Sequence, residues 1–231
     1  MMKNSIHLNK IWLWKAPRTF LIIFLLILII AALLYPGGTI YDKEIASYSI
    51  KYNFLSDMGR TIAINGENNF FSSSLFLLGL SGAGVVILLF FIQVWRLFSD
   101  TKTSKALAII GTISGVLGCL CLIGVAFTPV DLFTAPHIAF ANWLFRFFFL
   151  SALAYTIAII LNKELPNQLA IGYLIFSISI ISYILINELG PSPSVSKTIL
   201  AIKVIAQKAI LIIFVLAIYF QSTGLKKVFD K

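Results

Sequence analysis

Six long apolar runs, parted by short polar breaks, set the pattern of the chain. They fall at about residues 19–35, 70–98, 107–127, 138–161, 169–186 and 198–220. Within each run the apolar residues occupy every side of a helical turn, which leaves no polar face for water. A run of roughly 20 such residues matches the hydrocarbon thickness of a bilayer. The pattern predicts an all-α fold: a polytopic membrane bundle of six transmembrane helices, a single domain over residues 1–231. Breakers sit where the runs stop. Tyr35-Pro36-Gly37-Gly38-Thr39 ends the first run, Pro129 follows the third, Pro136 opens the fourth, and Pro191 and Pro193 precede the sixth. Residues 36–69 form the longest aqueous loop, too long for a plain connection and so a place to look for function. Within it, Ile62, Ala63 and Ile64 predict a segment that dips into the interface. Gly111, Gly115 and Cys119 on the third run, with Gly79 and Ala83 on the second, recur at every fourth position. Such stripes let helices approach closely in lipid, which predicts that the second and third spans are central.

Composition agrees with lipid as the main solvent. The chain is 59% hydrophobic and 12% charged, with a mean hydropathy of +0.96. A soluble domain is nearer a quarter charged. The net charge of +9 would point to nucleic acid in a soluble protein. Here the positions of the cations give it another meaning. Lys3, Lys10, Lys15, Arg18, Arg96, Lys102, Lys105, Lys163, Lys226, Lys227 and Lys231 flank the two chain ends and two short turns. Lys43, Lys51, Arg60 and Lys197 occupy the opposite side, among acids. The positive-inside rule then puts both termini in the cytoplasm of a multi-pass protein of the cytoplasmic (inner) membrane. The 36–69 loop, Asp131 with His137, and Glu188 fall on the outer face. Trp12 and Trp14 suit the headgroup level. A basic start before an apolar run also resembles a signal peptide, but the run is long and Ala31-Ala32-Leu33-Leu34-Tyr35 is a poor cleavage site. Cys119 and Cys121 lie inside an apolar run and read as small buried hydrophobes, with no disulfide framework.

The densest polar stretch is Asn53-Phe54-Leu55-Ser56-Asp57-Met58-Gly59-Arg60-Thr61, leading through Asn69 into the second run. With Tyr35-Pro36-Gly37-Gly38-Thr39, Asn69 through Phe76, Pro129-Val130-Asp131 and His137, it resembles the prokaryotic domain-of-unknown-function 998 family. That family has six spans and a Ser-Asp-Leu-Gly-like element after the first, where this chain has Met58 in place of Leu. The outer turn with its Asp and His is more distantly similar to the eukaryotic Frag/DRAM/Sfk membrane family. Some members of that family are tied to lipid remodelling or lipid asymmetry. The first resemblance implies a fold and a topology; neither supplies a reaction.

Three cations fall inside predicted spans: Arg146 on the fourth, Lys203 and Lys208 on the sixth. A charge within the hydrocarbon needs a partner, water or a route to the interface. No acid is predicted at the depth of Arg146 or Lys208, and Lys203 can snorkel outward. Asn142 and Gln207, one turn away, offer dipoles. Together with Asn53, Asp57 and Arg60 these residues predict an outward-facing polar pocket. It would bind a membrane lipid or a small anionic ligand such as a carboxylate, with an anion bridging Arg146 and Lys208. The alternative is a membrane-embedded hydrolase or transferase acting on a lipid headgroup. There His137 is the base, Asp131 orients it and Ser56 is the nucleophile. No metal or cofactor is expected, because His7 and His137 stand on opposite sides and cannot join in a zinc or haem set. No nucleic-acid motif is present. No internal repeat supports a transporter, and the oligomeric state is left open.

Overall fold

Apolar helices in lipid satisfy their own backbone groups and meet each other through side-chain packing. The computed structural model describes residues 11–229; Lys3, His7, Lys10 and Lys231 lie outside that range. The described chain folds as α1 (Ala16–Leu33), α2 (Phe70–Val94), α3 (Lys102–Phe127), α4 (Thr134–Leu161), α5 (Gln168–Leu189) and α6 (Lys197–Phe229). A π-helical turn, Ile11–Lys15, precedes α1, and a 3-10 turn, Trp95–Leu97, extends α2. All six helices are long and apolar enough to cross a membrane. Among the described residues there is no strand, only two isolated bridges. The protein is therefore an all-α, multi-pass membrane bundle, as the runs predict.

The largest difference in extent is at α6, which continues through the predicted basic tail to Phe229. Lys226 and Lys227 there are good helix formers, and cations suit a helix C-terminus. At the start of α1, Pro17 stands where a missing N–H costs nothing.

The helices do not place α2 and α3 at the centre. Each packs on its sequence neighbours, and α1 closes against α6, so the six form a ring. The most intimate contact is α3 with α4. The small-residue stripe of α3 serves aromatic rings more than bare backbone. Gly115 faces Phe91, Gly118 faces Phe148, and Gly111 faces Tyr155. Those rings converge inside the ring of helices. Phe148 stacks on Phe214 at 5.5 Å between centroids and on Phe91 at 6.4 Å, and Tyr155 stacks on Tyr173 at 5.2 Å. This aromatic layer fills the half of the bundle nearer the chain termini.

Six crossings put the two ends of the described chain at one end, with the 98–101 and 162–167 turns. The opposite end carries the loop 34–69 and the turns 128–133 and 190–196, and is called the loop end below. At the terminal end Asp100 accepts hydrogen bonds from the Asn162 amide (2.6 Å) and the Lys163 N–H (2.9 Å), which ties the two turns together.

Candidate functional site

The 34–69 loop is an ordered cap, and its motif residues explain why. Gly37 and Gly38 adopt φ of +137° and +84°, which L side chains rarely tolerate. The turn they make lets Gly38 donate to the Ile45 carbonyl (2.7 Å) and accept from the Asn53 amide (2.8 Å). Asn53 is fully buried. Its side-chain oxygen accepts from the Ser49 N–H (2.8 Å), and its backbone carbonyl accepts from the Tyr48 hydroxyl (3.1 Å) and Lys208 (2.6 Å).

Asn53 leads into a 3-10 turn, Leu55–Gly59, which is the Ser-Asp-Met-Gly element. Asp57 caps it: the carboxylate accepts from the Phe54 N–H (2.8 Å) and the Asn53 amide (3.3 Å). Burial pushes the Asp57 carboxyl above the usual range, against Asn53, the Arg60 charge, the Phe54 N–H and the Lys208 charge. The Met58 side chain is buried, and its carbonyl accepts from Asn69 (3.0 Å) and Ser72 (3.3 Å) at the start of α2. Gly59 is required by contact: a Cβ there would lie 2.5 Å from the Phe76 ring.

Asp131 fastens the cap to the α3–α4 turn. It accepts from the Thr61 hydroxyl (2.6 Å), the Thr61 N–H (3.0 Å) and the Ile62 N–H (3.0 Å). Burial alone would raise its pKa, but these hydrogen bonds outweigh that and hold it below the usual range. Asp131 therefore does not orient His137. That task falls to the Thr128 carbonyl, 2.6 Å from His137 Nδ1. A carbonyl can only accept, so Nδ1 carries the proton, and in the neutral ring Nε2 is left as an acceptor.

The three span cations are each satisfied within the protein. Arg146 pairs with Glu188, one residue before the end of α5, and lies 5.7 Å from the Trp143 ring centroid. An acid does reach Arg146, contrary to the expectation, because depth counted along one helix says nothing about its stagger against the next. Lys203 is buried and does not snorkel. It donates to the Asn187 (3.1 Å) and Gly190 (3.5 Å) carbonyls, where a cation meets the C-terminal end of α5. Lys208 serves the Asn53 carbonyl and lies 5.3 Å from the centroid of the Tyr48 ring. Arg60 donates to the Ile62 carbonyl (3.2 Å), and Asn142 is exposed. Arg146 and Lys208 thus have separate partners, Glu188 and the Asn53 carbonyl.

What the ring of helices does enclose is an apolar cavity of about 120 Å³, with walls from all six. Phe24, Leu80, Leu122 and Leu144 are among the side chains lining it, and its floor is the rings of Phe148, Phe176 and Phe214. From His137 to Phe148 is eleven residues of α4, roughly 16 Å of depth at 1.5 Å per residue. The polar side chains that reach it are Ser56, His137 and Gln207, all at the loop end. Gln207 accepts the Leu55 N–H (2.8 Å) and so hangs the 3-10 turn over the cavity as a roof. Of the predicted catalytic set, Ser56 and His137 share this space and Asp131 does not. Of the predicted ligand-binding set, Gln207 alone lines it. The apolar lining was missed because a Leu or Phe facing a cavity reads in sequence like one facing a neighbour.

A family model described as the Frag1/DRAM/Sfk1/Cwh43P N-terminal domain matches residues 13–230, nearly the whole described chain. The chain belongs to this family. Of the two resemblances read from the motifs, the match supports the more distant one. No curated protein and no solved structure matches the chain. The Frag1/DRAM fold is thus seen here as a six-helix ring, with the segment 53–61, the Asp131 turn and the start of α2 knit into one cap. Asp57, Gly59, Asn69 and Asp131 hold that cap in place.

Proposed function

We propose that this protein binds a membrane lipid by taking one apolar chain into the central cavity, with its polar end at the Ser56–His137–Gln207 roof. The observation that carries this reading is the cavity itself: apolar walls, an aromatic floor, and polar side chains at one end only. At about 120 Å³ the hollow is smaller than the roughly 300–1,000 Å³ of a drug-sized site, so a chain that enters it parts the side chains around it. An apolar cavity takes apolar guests more readily than water. The loop end faces outward across the cytoplasmic membrane in this reading, since its cations stand among the acids Asp57, Asp131 and Glu188, and Arg146 is paired with Glu188. The test is the lipid content of protein purified in mild detergent, read by native mass spectrometry. Ala141 lines the cavity and is half-buried. Ala141→Phe should fill the cavity and lower lipid occupancy severalfold at unchanged oligomeric state. Equal occupancy in Ala141→Phe and wild type would sink the reading.

A second reading, a hydrolase or transferase acting on a lipid headgroup, is favoured by one observation. Ser56 and His137 reach the same cavity, and the Thr128 carbonyl fixes the His137 tautomer that leaves Nε2 able to accept a proton. Turnover of an ester lipid by the purified protein, lost in both Ser56→Ala and His137→Ala, would establish it. Turnover that survives either change would exclude it.

A further inference from the structure

The roof of the cavity carries a specific hydrogen-bonding polarity, and it is not the polarity that suits an anion. Each donor and acceptor there can be assigned by elimination. A backbone N–H only donates, so the Gln207 atom on the Leu55 N–H is the oxygen. The Gln207 NH₂ is then the group left for a ligand. The Thr128 carbonyl only accepts, so the neutral His137 ring presents Nε2 as an acceptor. Ser56 can do either. No cationic side chain lines the cavity, and Arg146, Lys203 and Lys208 are engaged as described above. A phosphate or carboxylate drawn in here would lose its hydration without gaining a counter-charge, which is costly. It would also set its own acceptors against His137 Nε2.

A hydroxyl group meets the same roof without conflict. It donates its proton to His137 Nε2 and accepts from the Gln207 NH₂, with Ser56 free to complete either side. We infer that the cavity is a site for an uncharged, hydroxyl-headed single-chain lipid, the chemistry shared by a monoacylglycerol and a long-chain alcohol. This rests on the chain-binding reading above and names the headgroup class for it.

The test is competition binding to the full-length protein, stripped of lipid and held in detergent, with radiolabelled monooleoylglycerol as the probe. Unlabelled monooleoylglycerol, oleyl alcohol, oleate and oleoyl lysophosphatidate compete in turn. Both hydroxyl-headed compounds should compete at least about tenfold better than the two anions, the upper range for one uncharged hydrogen bond. Similar strength for the first two assigns the binding to the hydroxyl; a marked advantage for monooleoylglycerol assigns it to the glycerol head, within the same class. Gln207→Glu keeps an oxygen for the Leu55 N–H and removes the amide donor, so the roof stays hung while the affinity for oleyl alcohol falls about tenfold. His137→Phe should lose the preference while the chain still binds. If His137→Phe does not fold, Gln207→Glu decides alone. Anions competing as well as the hydroxyl compounds, or an unchanged affinity for oleyl alcohol in Gln207→Glu, would overturn the headgroup assignment and leave chain binding standing. No binding of any of the four to the wild-type protein would instead remove the chain-binding reading.

Discussion

Asp131 and His137 are six residues apart and look like a pair in the sequence, yet they serve different partners. The donors that Asp131 meets are on Thr61 and Ile62, some seventy residues earlier. Asp131 holds its charge below the usual carboxylate range, so its contribution is fully present above the unfolded value of about 3.9. It is lost as pH falls through the lower folded value. In hydrogen exchange above that range, Asp131→Ala should expose the Thr61 and Ile62 amides at least about tenfold faster than wild type, the loss expected for hydrogen bonds to a charged acceptor. Exchange unchanged by the substitution would remove Asp131 from this role. Asp57 behaves oppositely. Burial raises its pKa, so folding favours the protonated form relative to the unfolded chain; that contribution is present below the unfolded value and is lost as pH rises through the folded one. Asp57→Asn keeps an acceptor for the Phe54 N–H and carries no charge. It should melt close to wild type at neutral pH, whereas Asp57→Ala should lose about 1–2 kcal/mol, the worth of a cap. Equal losses in the two variants would show that the cap is not what Asp57 supplies.

The 3-10 turn Leu55–Gly59 is the element on which cap and cavity meet. It touches α2 through Gly59 and Met58, and α6 through Leu55. Gly59 gives the clearest test, since Phe76 is itself buried and has little room to retreat. Gly59→Ala should cost about 1–3 kcal/mol through overpacking. Phe76→Leu in the same chain should recover part of that loss, read as thermal stability in detergent, and a strictly additive pair would argue against the contact. The Ser-Asp-Met-Gly segment stood out in the sequence as a unit because its polar residues and Gly are dense. What it was for did not, because its partners, Phe76, Ser72 and Gln207, come from other parts of the chain.

At the scale of the whole molecule, the ring of helices gives the protein two ends with different chemistry. The terminal end keeps Lys102, Lys105, Lys163, Lys226 and Lys227 with few acids. The loop end sets its cations among Asp57, Asp131 and Glu188, and Arg146 pairs with Glu188. In chains with Cys119 and Cys121 replaced by Ala, single cysteines at Asn65 and Ser192 should react with an impermeant thiol reagent in intact cells. One at Thr103, exposed at the terminal end, should react only after lysis. The reverse pattern would invert the orientation and carry the cavity roof to the cytoplasmic side.

Six apolar runs determined six membrane helices, because lipid leaves a spanning backbone no other partner than itself. Breakers such as Pro36, Pro129 and Pro191 determined where the helices part. Those properties are local, so the chain states them residue by residue. The ring, the cavity and the fate of the charges were decided only in three dimensions. Arg146 found Glu188 through the stagger of α4 against α5. Lys203 found the end of α5, and Lys208 found a carbonyl in the cap. The cavity follows from six side-chain faces that fail to meet above Phe148, Phe176 and Phe214. No single helix records that gap, since each lining residue is apolar whether it faces a neighbour or a space.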